Sequence, residues 1–147
     1  MRVMALDVGE RRIGVAVSDA LGITAQGVQT LQRKNDDQAI QALKELAQTY
    51  EVGAWVIGLP KNMNNSLGFK SEETRAFADL LSEAHPLPVY WMDERLTTVA
   101  ATQVLLQADV SRKKRKKKVD QLAAVLILQT WMDSPKGQEV CRGQQTQ

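Results

Sequence analysis

Ala54-Trp55-Val56-Ile57-Gly58-Leu59-Pro60 decides the fold of this chain. Apolar residues and glycine follow one another there without polar alternation, the pattern of a strand covered on both faces, and Pro60 closes it. Before the run, Asn35 or Asp36 supplies an N-cap, and Ile40, Leu43, Leu46, Ala47 and Tyr50 recur at helical spacing, with Gly53 as the stop. After it, residues Lys61 to Phe69, with Asn62, Asn64, Asn65, Ser66 and Gly68, form the longest turn-rich loop. Ser71 then caps a helix whose stripe is Phe77, Leu80, Leu81 and Ala84, and Pro86-Leu87-Pro88 leads into the apolar run Val89-Tyr90-Trp91-Met92. His85, the only histidine, sits at that break and reads as a surface loop residue.

Working back to the start, Val3 to Val8 and Ile13 to Ser18 are two short apolar runs joined by Gly9-Glu10-Arg11-Arg12, a β-hairpin with a four-residue connection. A third strand covers Ile23 to Leu31, where Gly27 suggests a bulge or an edge. Working forward, Thr97 or Thr98 caps a helix running to Ala108, and a long apolar helix begins at Val119. The order βββαβαβα with a further helix predicts an α/β fold with a mixed five-stranded sheet, antiparallel in its first hairpin and parallel afterwards. No repeat or linker divides it, so residues 1–133 read as one domain. Residues 134–147 are polar and lack periodicity, and read as a disordered tail.

A chain of 147 residues buries about two thirds of the surface its unfolded form exposes, so folding needs no metal or disulfide staple. Cys141 is the sole cysteine, which excludes a disulfide framework and suits a reducing cytoplasm; it reads as an inert thiol. No apolar run approaches the ~20 residues of a membrane span. The net charge of +2 is unevenly distributed. Seven of the 19 basic residues lie in Arg112-Lys113-Lys114-Arg115-Lys116-Lys117-Lys118, leaving 12 bases against 17 acids elsewhere, a balance of −5. An acidic body with one concentrated basic patch suits a polyanion. The competing reading is a solvated face or an acidic protein partner.

Chemistry enters at the strand ends. Asp93-Glu94-Arg95-Leu96-Thr97-Thr98 brings two acids, a base and two hydroxyls to a strand-to-helix junction, where open α/β sheets bind ligands. In the expected topology Asp7, the Gly58-Leu59-Pro60 turn and Glu94 share one carboxyl edge, and strands ~4.8 Å apart leave a space over the fourth strand that both flanks can reach. Asp120 shares a helix face with Ala123, Ala124 and Ile127, a buried stripe of small side chains. An unpaired carboxylate there would cost several kcal/mol. Asp7, Glu94 and Asp120 therefore form a candidate oxygen-ligand site that selects Mg²⁺ or Mn²⁺ and suits phosphodiester hydrolysis. The plainer reading makes Asp93, Glu94 and Asp120 helix-start acids that suit the dipole. Arg95 beside a scissile phosphate, Arg12 as a backbone clamp, Lys61, and Arg112, Lys113, Lys114, Arg115, Lys116 and Lys117 complete a candidate nucleic-acid surface. Either arginine is alternatively a plain surface or ion-pair residue, the reading that Arg12 taken alone favours.

The segments Asp7-Val8-Gly9-Glu10-Arg11-Arg12-Ile13-Gly14-Val15-Ala16-Val17-Ser18-Asp19, Gly58-Leu59-Pro60, Asp93 to Thr98, Ser111 to Arg115 and Asp120 to Gln129 resemble the bacterial YqgF-type family of Holliday junction resolvases, also described as pre-16S ribosomal RNA nucleases. The resemblance runs in order over residues 2 to about 133. It implies a ribonuclease H-like three-layer fold, a cytoplasmic protein and trimming of the 5′ end of the small-subunit ribosomal RNA precursor. Asp7, Glu94 and Asp120 match the family's acidic positions. The loop after Gly58-Leu59-Pro60 departs from it, reading Met63-Asn64-Asn65 where the family commonly has Met-Asp-Gly. Gly58 and Ala123 also stand where junction resolvases of the broader fold carry further acids. Three functions stay open: a nuclease on ribosomal RNA precursor, the same chemistry on branched DNA, and a catalytically silent RNA-binding assembly factor. A resolvase cuts two strands symmetrically and calls for a two-fold dimer, whereas a trimming nuclease is served by a monomer or homodimer.

Overall fold

The structure, a computed structural model, describes residues 1–59, 69–93 and 112–143, with side chains at 1–59, 71–93 and 121–141. Five strands, β1 (Arg2–Val8), β2 (Arg12–Ser18), β3 (Ala25–Gln32), β4 (Val52–Leu59) and β5 (Val89–Asp93), form one sheet in the order β3-β2-β1-β4-β5. β1, β2 and β3 are antiparallel neighbours, while β4 and β5 run parallel to β1. That is the expected mixed sheet. β3 is an edge, and its register shifts opposite Val15 and Ala16, so Val28 is the extra residue of a bulge beside Gly27.

Alternation along the strands sorts two cores. Met4, Leu6, Ile13, Val15, Val17, Trp55 and Ile57 point to one face and pack against α1 (Asp36–Thr49) and α2 (Phe69–Ala84). The other face presents the smaller Val3, Ala5, Ala16, Ala54 and Val56 to Ala124, Ile127, Leu128 and Trp131 of α3 (Arg112–Asp133). Large side chains thus fill the layer shared by two helices. Small ones let a single long helix lie close to the sheet. Among the described residues no helix is long and apolar enough to cross a membrane.

Local outcomes refine the sequence reading. The hairpin connection is three residues, 9–11, because Arg12 already belongs to β2. Gly9 N–H donates to the Arg12 carbonyl at 2.9 Å, and a β-carbon at Gly9 would lie 2.8 Å from that oxygen. Asn35 caps α1 by accepting from Gln38 N–H at 2.8 Å. The helix stops at Thr49 through Glu51, whose φ of 54° is left-handed, rather than through Gly53, which belongs to β4. Ser71 lies inside α2 and is buried, so it is not the cap. His85 meets the buried Trp55 ring edge-on at 6.2 Å, which gives it a packing role.

The expected tail begins as structure. α4 (Pro135–Gly143) follows α3 directly and buries Cys141 to 5% exposure against the α3 face of the sheet. Ser134 Oγ accepts from Gly137 N–H at 3.1 Å, which makes Ser134 an N-cap with Pro135 at the first helical position. Burial of Cys141, helped by Asp19 and opposed by the chain's amino terminus, pushes its thiol pKa up. It is a poor nucleophile at neutral pH. A β-carbon on Gly137 would lie 1.8 Å from the Trp131 carbonyl oxygen. Gly137→Ala is therefore expected to lower the unfolding free energy by about 1–3 kcal/mol in a urea titration, because the two helices must separate to admit a methyl group.

Candidate active site at the carboxyl edge

Asp7 is the penultimate residue of β1 and half-buried. It follows the parity of Val3 and Ala5, so its carboxylate lies on the face that α3 covers. The register sets its lateral neighbours. Asp7 pairs with Gly14 on β2, and Gly14 pairs with Thr30 on β3. On the other side Leu6 pairs with Ile57, which brings Asp7 level with Gly58, and Gly58 pairs with Met92 on β5. One row therefore crosses all five strands as Thr30, Gly14, Asp7, Gly58, Met92. Asp7 carries the central functional group, and the strand on either side offers bare backbone. Strand spacing makes the gap between the flanking positions about 10 Å, enough for an ion or a phosphate beside the carboxylate.

α3 reaches the same edge. A β-carbon on Gly27 would touch Gln121 and Val125 at 3.4–3.7 Å, and Gln129 Nε2 lies 3.4 Å from the Ile23 carbonyl oxygen. β3 runs toward the carboxyl edge of β1, so α3 starts at that edge and runs back to the opposite end of the sheet. Residue 120 precedes Gln121, and its helix position lies on the stripe continued by the buried Ala123, Ala124 and Ile127. The backbone thus puts position 120 above the row containing Asp7. The basic run Arg112 to Lys118 forms the first two turns of this helix, whereas the sequence reading starts the helix only at Val119.

Asp93 follows the parity of Val89 and Trp91, which pack on the α1–α2 face, and it pairs with Leu59. It lies on the opposite side of the sheet from Asp7. On that side the Arg75 guanidinium stacks over Trp91 at 5.4 Å. Arg12 opens β2, half-buried, on the same parity as Gly14 and Ala16 and hence on the Asp7 face. Glu94, Arg95, Lys61 and the expected helix from Thr98 to Ala108 lie outside the described residues, as do the side chains of Asp120 and of Arg112, Lys113, Lys114, Arg115, Lys116 and Lys117. Among the described residues no three His, Cys, Asp or Glu side chains cluster closely enough to hold a metal ion. Gly14 is the site feature that sequence reasoning missed. Its signal was the lone glycine inside the otherwise apolar run Ile13 to Val17.

The sequence model of the RuvX family, described as Holliday junction resolvase, matches residues 1–134. The chain belongs to the RuvX family. A relative from Clostridium acetobutylicum, named "Putative pre-16S rRNA nuclease", is 52% identical over 134 residues, covering 91% of this chain and 99% of its own length. Among solved structures, Thermus thermophilus RuvC in complex with a Holliday junction substrate superposes with a TM-score of 0.57 at 16% identity, covering 90% of this chain and 97% of that one. The fowlpox virus resolvase with junction DNA gives 0.54 at 12% identity, covering 91% and 100%. At such identities the RuvX chain shares a fold with these resolvases, and the ribonuclease H-like expectation holds.

Proposed function

We propose that this chain is a cytoplasmic, metal-dependent nuclease that hydrolyses phosphodiester bonds in the 5′ region of the 16S ribosomal RNA precursor. The observation that carries the reading is the row at the carboxyl edge: Asp7 between Gly14 and Gly58, with the basic start of α3 at the same edge. The relative named for pre-16S rRNA supports the choice of substrate. The family's description favours branched DNA as the second reading.

The donor chemistry fits a hard divalent cation. Asp7 offers oxygen where neither neighbouring strand position bears an obstructing side chain, and no histidine or cysteine stands in that row. Asp7, Glu94 and Asp120 would hold Mg²⁺ or Mn²⁺; β5 parity turns Asp93 away, which favours the residue after it as the ligand. The chemistry such a cation would supply there is an acidified water and stabilisation of charge on the departing 3′ oxygen. The protein's own residues supply the rest. Arg95 would sit beside the scissile phosphate with Arg12 as a backbone clamp, and Lys61 with Arg112 to Lys117 would hold the flanking backbone.

Cleavage of a ribosomal RNA precursor and of a four-way DNA junction, side by side with Mg²⁺, Mn²⁺ or EDTA, tests the reading. Faster cutting of the RNA, abolished by EDTA, is the expected result. Faster resolution of the junction by a two-fold dimer would establish the second reading. Tight, salt-sensitive binding without cutting of either would make the chain a silent RNA-binding factor.

A further inference from the structure

Arg33 lies between β3 and α1, on the opposite side of the sheet from Asp7, yet it touches the turn that follows Asp7. Its Nη1 donates to the Gly9 carbonyl at 2.8 Å, and its Nε donates to Asp36 Oδ1 at 2.9 Å. Its guanidinium lies 4.9 Å over the Phe77 ring. Its backbone N–H donates to the Arg11 carbonyl at 2.8 Å. One side chain, 16% exposed, therefore joins the β1–β2 turn to the first turn of α1 and to the body of α2. A planar fork can hold two acceptors and a ring face together, which a lysine cannot.

The partners indicate what is being held. Asp7 and Val8 sit in paired register with Gly14 and Ile13, so the ladders fix them without Arg33. Gly9, Glu10 and Arg11 lie beyond that ladder, and their connection ends in Arg12, on the Asp7 face; the Arg12 backbone pairs with Gln32, and its carbonyl accepts from the N–H of the same Gly9 that Arg33 binds. We propose that Arg33 is a positioning residue for substrate binding: by stapling the β1–β2 turn to the α1–α2 layer it holds Arg12 where a nucleic-acid phosphate next to Asp7 would lie. This rests on the nuclease reading and adds to it a residue far from the reacting atoms. It assigns to Arg33 an effect on KM and dissociation constant, and to Asp7 the effect on kcat.

The test uses the full chain with Arg33→Lys and Arg33→Leu, each also in an Arg12→Gln background. The probes are a fluorescently labelled RNA hairpin with a single-stranded 5′ extension and a labelled four-way DNA junction, bound in EDTA and cleaved in Mg²⁺. Arg33→Leu is expected to weaken binding of the better probe about tenfold and to raise KM alike, with the salt slope reduced by about 1. Arg33→Lys, which keeps the charge over Phe77 and one donor, should recover part of that loss. In the Arg12→Gln background both Arg33 substitutions should add little, because the group they position is gone. A merely structural role would lower thermal stability and leave this coupling at zero. Wild-type affinity in both folded Arg33 variants, or losses that add fully to that of Arg12→Gln, overturns the proposal alone. Wild type that binds neither probe overturns the nuclease reading, and the proposal with it.

Discussion

Asp7→Asn is expected to lower the cleavage rate about 10³-fold, equivalent to roughly 4 kcal/mol of transition-state stabilisation. The physical reason is local. Asparagine keeps the shape of the side chain in a row whose neighbours are glycines, but it removes the negative charge that would bind a divalent cation between β2 and β4. The unfolding free energy should change by about 1 kcal/mol or less, because β1 is held by ladders on both sides and Val3 to Leu6 supply its core contacts. Single-turnover cleavage with saturating enzyme is the measurement, together with a denaturant titration of the same sample. Cutting at the wild-type rate by a folded Asp7→Asn protein would remove Asp7 from the site.

The second large effect is on affinity. Replacing Lys113, Lys116 and Lys117 together by glutamate is expected to weaken nucleic-acid binding about 10²- to 10³-fold at low salt, and to flatten the dependence of log K on log salt by about 2–3. These positions lie in the first turns of α3, and α3 begins at the edge where Asp7 sits, so the patch and the carboxylate would serve one substrate. Folding should be unharmed or improved, because glutamates near a helix start interact favourably with its dipole. Fluorescence anisotropy across a salt series separates this outcome from a general loss of structure. Unchanged affinity and slope would show that the basic run has another purpose.

The sheet was legible in the sequence because each strand declares its own burial. The unbroken run through Trp55 and Ile57 requires two covered faces, and the alternation from Val3 to Val8 sets Asp7 on one of them. The same alternation along β5 puts Asp93 on the other face. α4 escaped notice because its surface is polar; the only local signal was Ser134 followed by Pro135, and its burial of Cys141 depends on docking against α3. The start of α3 escaped for an electrostatic reason. Seven adjacent cations carry no apolar period, so helical structure there leaves no trace in hydropathy. Arg33 could not be recognised at all, since Gly9 is 24 residues away and Phe77 lies far along the chain on α2. Of the three expected ligands, Asp7 is described in full and Asp120 by its backbone, while Glu94 lies outside the described residues.

The basic start of α3 has a thermodynamic consequence. No acid stands in its first turn, and its cations crowd the end where the aligned peptide dipoles are already positive, those of the first turn each placed unfavourably by roughly 0.3–1 kcal/mol. The unliganded helix is thus formed against its own field, and a polyanion relieves that opposition as it binds. By linkage, whatever stabilises the helix also favours the bound state, and bound nucleic acid raises the stability of the helix in turn. Dissolved salt breaks the symmetry. It screens the repulsion and firms the free protein, while it competes for the same charges and loosens the complex.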